Sequence, residues 1–133
     1  MKKLGADHVL NYKTDPTWGE TARKLTPDGE GVDHVIEVGG EATLGQSLKA
    51  TKHEGIISII GMVGSGRTGE VPQIMDALSS VVIFRGVYVG SKEMMEEMVD
   101  AIEANDIRPV LDEVFPFEKA KDAYQYQVSE FAF

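Results

Sequence analysis

Apolar residues recur along this 133-residue chain with a period that switches between two and about three and a half, and each switch marks an element. "MKKLG" reads as the tail of a helix closed by Gly5, and "DHVLNY" (7–12) alternates as a short strand. In "TDPTWGETARKLT" (14–26) Asp15 is placed to cap a helix and Pro16 sits in its first turn, where a missing N–H costs nothing. Trp18, Ala22 and Leu25 form one buried stripe of that helix, and "PDGEG" (27–31) breaks it. "VDHVIEVGG" (32–40) is a second strand ending in a Gly pair. "EATLGQSLKATKH" (41–53) predicts a helix with Leu44 and Leu48 inward and His53 at its negative end. "IISIIG" (56–61) is almost continuous in Ile, as in a strand covered on both faces.

Beyond the glycine-rich "GMVGSGRTGE" (61–70) a short helix is expected over Pro72–Ser80, and "VVIFRGVYVG" (81–90) is another buried strand. Ser91 caps a strong helix in which Met94, Met98 and Ile102 make one row and Met95 and Val99 the next, a pattern that predicts core. A short strand and a last helix, with Ala120, Ala123 and Tyr124 inward, complete the chain. Strands alternating with helices across short Gly-bearing turns predict right-handed crossovers. The expected fold is α/β: a single, partial Rossmann-like domain over residues 1–133, with a mostly parallel sheet of four to five strands flanked by helices.

Composition narrows the functional classes. A net charge of −9 argues against nucleic acid or an anionic membrane surface, because phosphate binding needs a basic face. The apolar runs are too short to span a bilayer, and the first residues lack the apolar stretch of a signal peptide. With no cysteine there is no disulfide and no thiolate ligand or nucleophile, so the expected setting is cytoplasmic. His8, His34 and His53 are too scattered to predict a ligand set. Glu37 lies inside the apolar "VIEVGG"; it is either a general acid/base or, more plainly, a carboxylate at the strand mouth bonded to backbone or Lys.

"KKLGADHVLNYK", "GVDHVIEVGG", "LGQSLKATKHEGIISIIG" and the run from "IFRGVYVG" to "KAKDAYQY" together resemble the zinc-type alcohol dehydrogenase and quinone oxidoreductase superfamily, the medium-chain dehydrogenases/reductases. The resemblance implies NAD(P)-dependent hydride transfer involving an alcohol, aldehyde or enone. It covers only the second half of that family's cofactor-binding domain. The family's pyrophosphate-binding Gly-rich turn, its ribose-reading residue and its zinc-bearing catalytic domain would all precede Met1. The expectation is therefore weak or no NAD(P) binding by this chain alone, no zinc, and no redox activity without the missing regions. Carried over by position, Val38, Gly39, Gly61, Met62, Val87, Tyr88 and Val89 would line the nicotinamide and its ribose through backbone groups. Strand ends with turn glycines are the plainer alternative for the same residues.

Many of the family's dimers pair the strand matching Val81–Gly90 with its twofold mate, which implies a homodimer here unless the C-terminal segment covers that edge. The family's strand order would also put two further strands between "DHVLNY" and "VDHVIE". Without them, residues 7–12 are expected to move beside 32–37, or a second chain to fill the gap. Three functions stay open: a portion of an oxidoreductase cofactor domain, a non-redox enzyme binding a small ligand with Glu37 as acid/base, and a non-catalytic dimerisation module.

Overall fold

Three β-strands, β1 (Val32–Glu37), β2 (Thr51–Ile59) and β3 (Ile83–Gly86), pair in the order β1-β2-β3, and both ladders are parallel. They belong to the first of two compact units, Met1–Val89 and Gly90–Phe133. The computed structural model describes residues 1–63 and 71–129. Val35 pairs with Ile57 and Ile57 with Phe84, while Ile36 pairs with Ser58 and Ser58 with Arg85. Because side chains alternate along a strand, Val35, Glu37, Ile57 and Ile59 share one face and His34, Ile36, Ile56 and Ser58 the other. The first of these faces is covered: Ile57 is fully buried and Glu37 is buried against the following helix. The second leaves Ile36 and Ile83 exposed.

Helices α1 (Trp18–Lys24) and α2 (Glu41–Ala50) approach each other at Gly19, which is buried. A Cβ at Gly19 would lie 2.1 Å from the Gln46 carbonyl oxygen, so only glycine admits this approach. The Gly19 N–H donates to Gln46 Oε1 at 3.0 Å. The Arg23 guanidinium fastens α1 to the α2–β2 junction by donating to the carbonyls of Lys49 and Thr51 at 3.3 and 3.1 Å. Helix α3 (Ile74–Ser80) starts in a capping box, with the Gln73 N–H donating to Asp76 Oδ2 at 2.7 Å.

In the second unit, α4 (Lys92–Ala104) is capped by Ser91, whose Oγ accepts the Met94 N–H at 3.3 Å. Helix α5 (Ala120–Val128) turns Tyr126 onto Phe115, with ring centroids 5.6 Å apart, and the Tyr126 hydroxyl donates to Asp112 at 2.7 Å.

Several expectations are corrected. The sheet has three strands rather than four to five, because neither "DHVLNY" nor the segment after α4 enters a ladder among the described residues. Residues 7–12 form no ladder with β1. Their apolar part is only Val9 and Leu10, both exposed, and the chain turns at once on Asn11, whose side chain accepts the Lys13 N–H at 2.9 Å. Helix α2 stops at Ala50, so His53 lies in β2 rather than at a helix end. Helix α1 starts at Trp18, and Asp15 caps the turn before it by accepting the Thr17 N–H at 3.0 Å. The methionine row of α4 is exposed instead of core, and so are Tyr124 of α5, Leu25 after α1, where Gly19 is the buried residue, and Ile83 of β3, which spans only four of the ten residues expected to form a buried strand. Residues 64–66 of the "GMVGSG" loop lie outside the described residues.

Candidate functional site

The carboxyl ends of β1 and β2 are laced together past their ladder. The Ile60 N–H donates to the Glu37 carbonyl at 2.9 Å and the Val63 N–H to the Val38 carbonyl at 3.1 Å. Gly61 faces this lacing closely, since a Cβ there would sit 3.0 Å from the Val38 oxygen. Gly40, at φ +82°, has no room for a side chain either: its Cβ would lie 3.0 Å from Met62 Cα. Four of the residues singled out by position, Val38, Gly39, Gly61 and Met62, therefore lie together. Val87 joins them one strand over, donating its N–H to the Ile59 carbonyl at 2.9 Å. Tyr88 and Val89 point almost wholly into solvent, at 97% and 77% exposure. The result is an apolar floor, with Val38 and Met62 open to solvent, resting on two tight backbone turns.

Under the floor lies Glu37, 3% exposed. Its Oε1 accepts the N–H groups of Gly39 and Gly40 at 2.7 and 3.0 Å and the Thr43 hydroxyl at 2.6 Å, while Oε2 accepts the Ser47 hydroxyl. No lysine takes part in these bonds. Sequence reasoning did not single out Thr43 and Ser47, although a hydroxyl six and ten residues beyond a strand-end Glu falls on the facing side of the next helix. With four donors already on it and no solvent beside it, the Glu37 carboxylate is badly placed to exchange protons with a substrate.

The same geometry tests the fit of a cofactor. The β1–α2 turn has the strand–turn–helix form that elsewhere grips a diphosphate, but Glu37 already takes the Gly39 and Gly40 N–H groups. This turn does not fit a diphosphate, because the two amides that would grip it are taken. Zinc does not fit the described residues, which hold no group of three or more His, Asp or Glu able to share an ion.

At the opposite, amino end of the sheet a cleft of about 590 Å³ is lined by charged side chains, including Arg23, Glu30, Asp33, Lys52 and Glu54, together with His34 and His53. Lys52 pairs with Asp33 at 2.5 Å. Hydrogen bonding and charge from Lys52 hold the Asp33 carboxyl below its ordinary value, and Asp33 raises Lys52 in return. His34 and His53 both line this cleft, no group of three possible metal ligands forms among the described residues, and His8 is not part of the lining.

The profile of the family described as zinc-binding dehydrogenase matches residues 4–131. The chain belongs to that family. It matches the cofactor-binding domain of zinc-type alcohol dehydrogenase-like oxidoreductases. A zinc-type alcohol dehydrogenase-like protein of Schizosaccharomyces pombe is 47% identical over 133 residues, covering 97% of this chain and 38% of its own length. Among solved structures, an NAD-dependent alcohol dehydrogenase superposes with a TM-score of 0.74 at 30% identity, over 94% of this chain and 35% of that one. The alcohol dehydrogenase of Aeropyrum pernix gives 0.67 at 28% identity, over 94% and 34%. The chain thus spans little more than a third of the length of these relatives. Among the described residues no helix is long and apolar enough to cross a membrane.

Proposed function

We propose that this zinc-binding dehydrogenase segment supplies the seat for the nicotinamide end of NAD(P) and depends on regions outside its 133 residues for the diphosphate grip and for catalysis. One observation carries the reading: Val38, Gly39, Gly61 and Met62 form an apolar floor at the carboxyl ends of parallel strands, where open α/β sheets bind their ligands, while the turn beneath is filled by Glu37. When bound, the nicotinamide would accept a hydride from an alcohol or donate one to an aldehyde or enone. The chain's own part is to support one face of the ring, keep water from it with Val38 and Met62, and offer backbone groups at its edge. The reaction class supported is hydride exchange with an alcohol, aldehyde or enone. Glu37 as a general acid/base is set aside, because it is buried and already accepts from four donors of its own chain.

Mapping NADH onto the backbone amide signals of the 133-residue chain tests this. Shifts are expected at Gly39, Gly61, Val63 and Val87. Shifts confined to the amino-end cleft around His34 and His53 would overturn the reading.

A second reading concerns assembly. β3 lies at a sheet edge, and Ile83, Tyr88 and Val89 around it are exposed, which supports a homodimer pairing this edge with its twofold mate. Sedimentation at micromolar concentration should give a dimer, and placing Pro at Phe84 should return it to monomer. A wild-type chain that is monomeric throughout would contradict the pairing.

A further inference from the structure

We propose that Glu37 is a positioning residue: its carboxylate presets the Val38–Gly40 turn against Gly61 and Met62 and so fixes the shape of the floor. The inference rests on the reading of that floor as a nicotinamide seat and adds the device that builds it. A helix cap would satisfy N–H groups inside the first turn of α2. Here the backbone donors are Gly39 and Gly40, which precede Glu41, the first helical residue. Thr43 and Ser47, on successive turns of α2, hold the same carboxylate from the other side. The carboxylate is thus a clasp between a turn and a helix, and it is 3% exposed, so water does not readily replace a lost donor.

The clasp reaches the floor through the backbone. Gly40 is pressed against Met62, and Val38 accepts the Val63 N–H at 3.1 Å, so a turn that drifts carries the Met62 segment with it. Glu37 never reaches a bound ring itself. It acts through Gly39 and Gly40.

Two variants separate charge from geometry. Glu37→Gln keeps an acceptor for Gly39, Gly40 and Thr43. Glu37→Ala removes it, and Thr43→Val, which cuts a single donor, serves if Glu37→Ala does not fold. Hydrogen exchange of the full 133-residue chain is read at Gly39, Gly40 and Val63, with Ile57 in the core of β2 as the control for global opening. In Glu37→Ala the turn amides should exchange about tenfold faster relative to Ile57, in Thr43→Val measurably faster, and in Glu37→Gln within about threefold of wild type.

Reduced nicotinamide mononucleotide, titrated against each variant, should follow the same order. Exchange that rises equally at Ile57 and in the turn would make Glu37 a purely structural residue and overturn the proposal. So would unchanged mononucleotide binding in a variant whose turn has loosened. If the wild-type chain gives no mononucleotide shift at Gly61 or Met62, the seat itself is refuted, and the exchange pattern still decides whether Glu37 holds the turn.

Discussion

Gly19 shows how a single hydrogen can set an interface. The Gln46 carbonyl occupies the space a methyl group would need, so Gly19→Ala must push α1 away from α2 and stretch the Arg23 bonds to Lys49 and Thr51. A loss of about 1–3 kcal/mol is expected, read as a lower urea midpoint with an unchanged slope. Asp33 and Lys52 make a prediction about pH. The lowered Asp33 value means its share of stability is present above the ordinary 3.8 and fades as pH falls through the folded-state value. The raised Lys52 value means its share is present below 10.5 and fades as pH rises through the folded-state value. Lys52→Met should return the Asp33 carboxyl titration, followed by carbon NMR, upward to the ordinary range. Its effect on stability should be small, because both groups are solvated. At this scale Glu37 was legible as an unusual carboxylate in an apolar strand. Its donors were not, because Gly39, Gly40, Thr43 and Ser47 meet only once the turn has folded.

Elements were read well where the period was clear and local bonding agreed with it. β1 and α4 start where their patterns place them, and Ser91 caps as its position predicts, whereas β3 takes up only Ile83–Gly86 of the expected 81–90 and leaves Ile83 exposed rather than buried. β2 begins earlier than its Ile run suggests, because Thr51, polar and helix-adjacent in sequence, is buried and pairs with Val32 across an irregularity in the ladder. Gly55 looks like a helix terminator but lies within β2, where a Cβ would meet the Thr51 methyl at 2.5 Å. The end of α3 carries strain that no periodicity reveals. Val81 closes it at φ 52°, ψ 45°, a left-handed conformation that a β-branched residue adopts at a cost, and its carbonyl accepts the N–H of Glu54, itself at φ 63°. Val81→Gly should therefore raise stability by about 1 kcal/mol, measured as an increase in the urea midpoint. A decrease would mean that packing of the Val81 side chain outweighs its backbone strain.

For the molecule as a whole, the family was legible because several weak segments occur in one order, and the fold class followed from alternating strands and helices. Strand count was less legible, since "DHVLNY" has a strand's pattern but too little apolar surface to hold a ladder without a neighbour. What results is a parallel sheet centred on β2, with Ile57 at its core and β1 and β3 at its edges. On this scaffold the floor and the turn beneath it have opposite suitability: the first offers an apolar surface, and the second already holds its own carboxylate. The direct test is to compare the affinity of the 133-residue chain for NADH and for reduced nicotinamide mononucleotide by calorimetry or NMR. Millimolar or weaker binding, nearly equal for the two ligands, is expected when the adenylate half finds no grip. Micromolar binding of NADH, far tighter than that of the mononucleotide, would contradict the account.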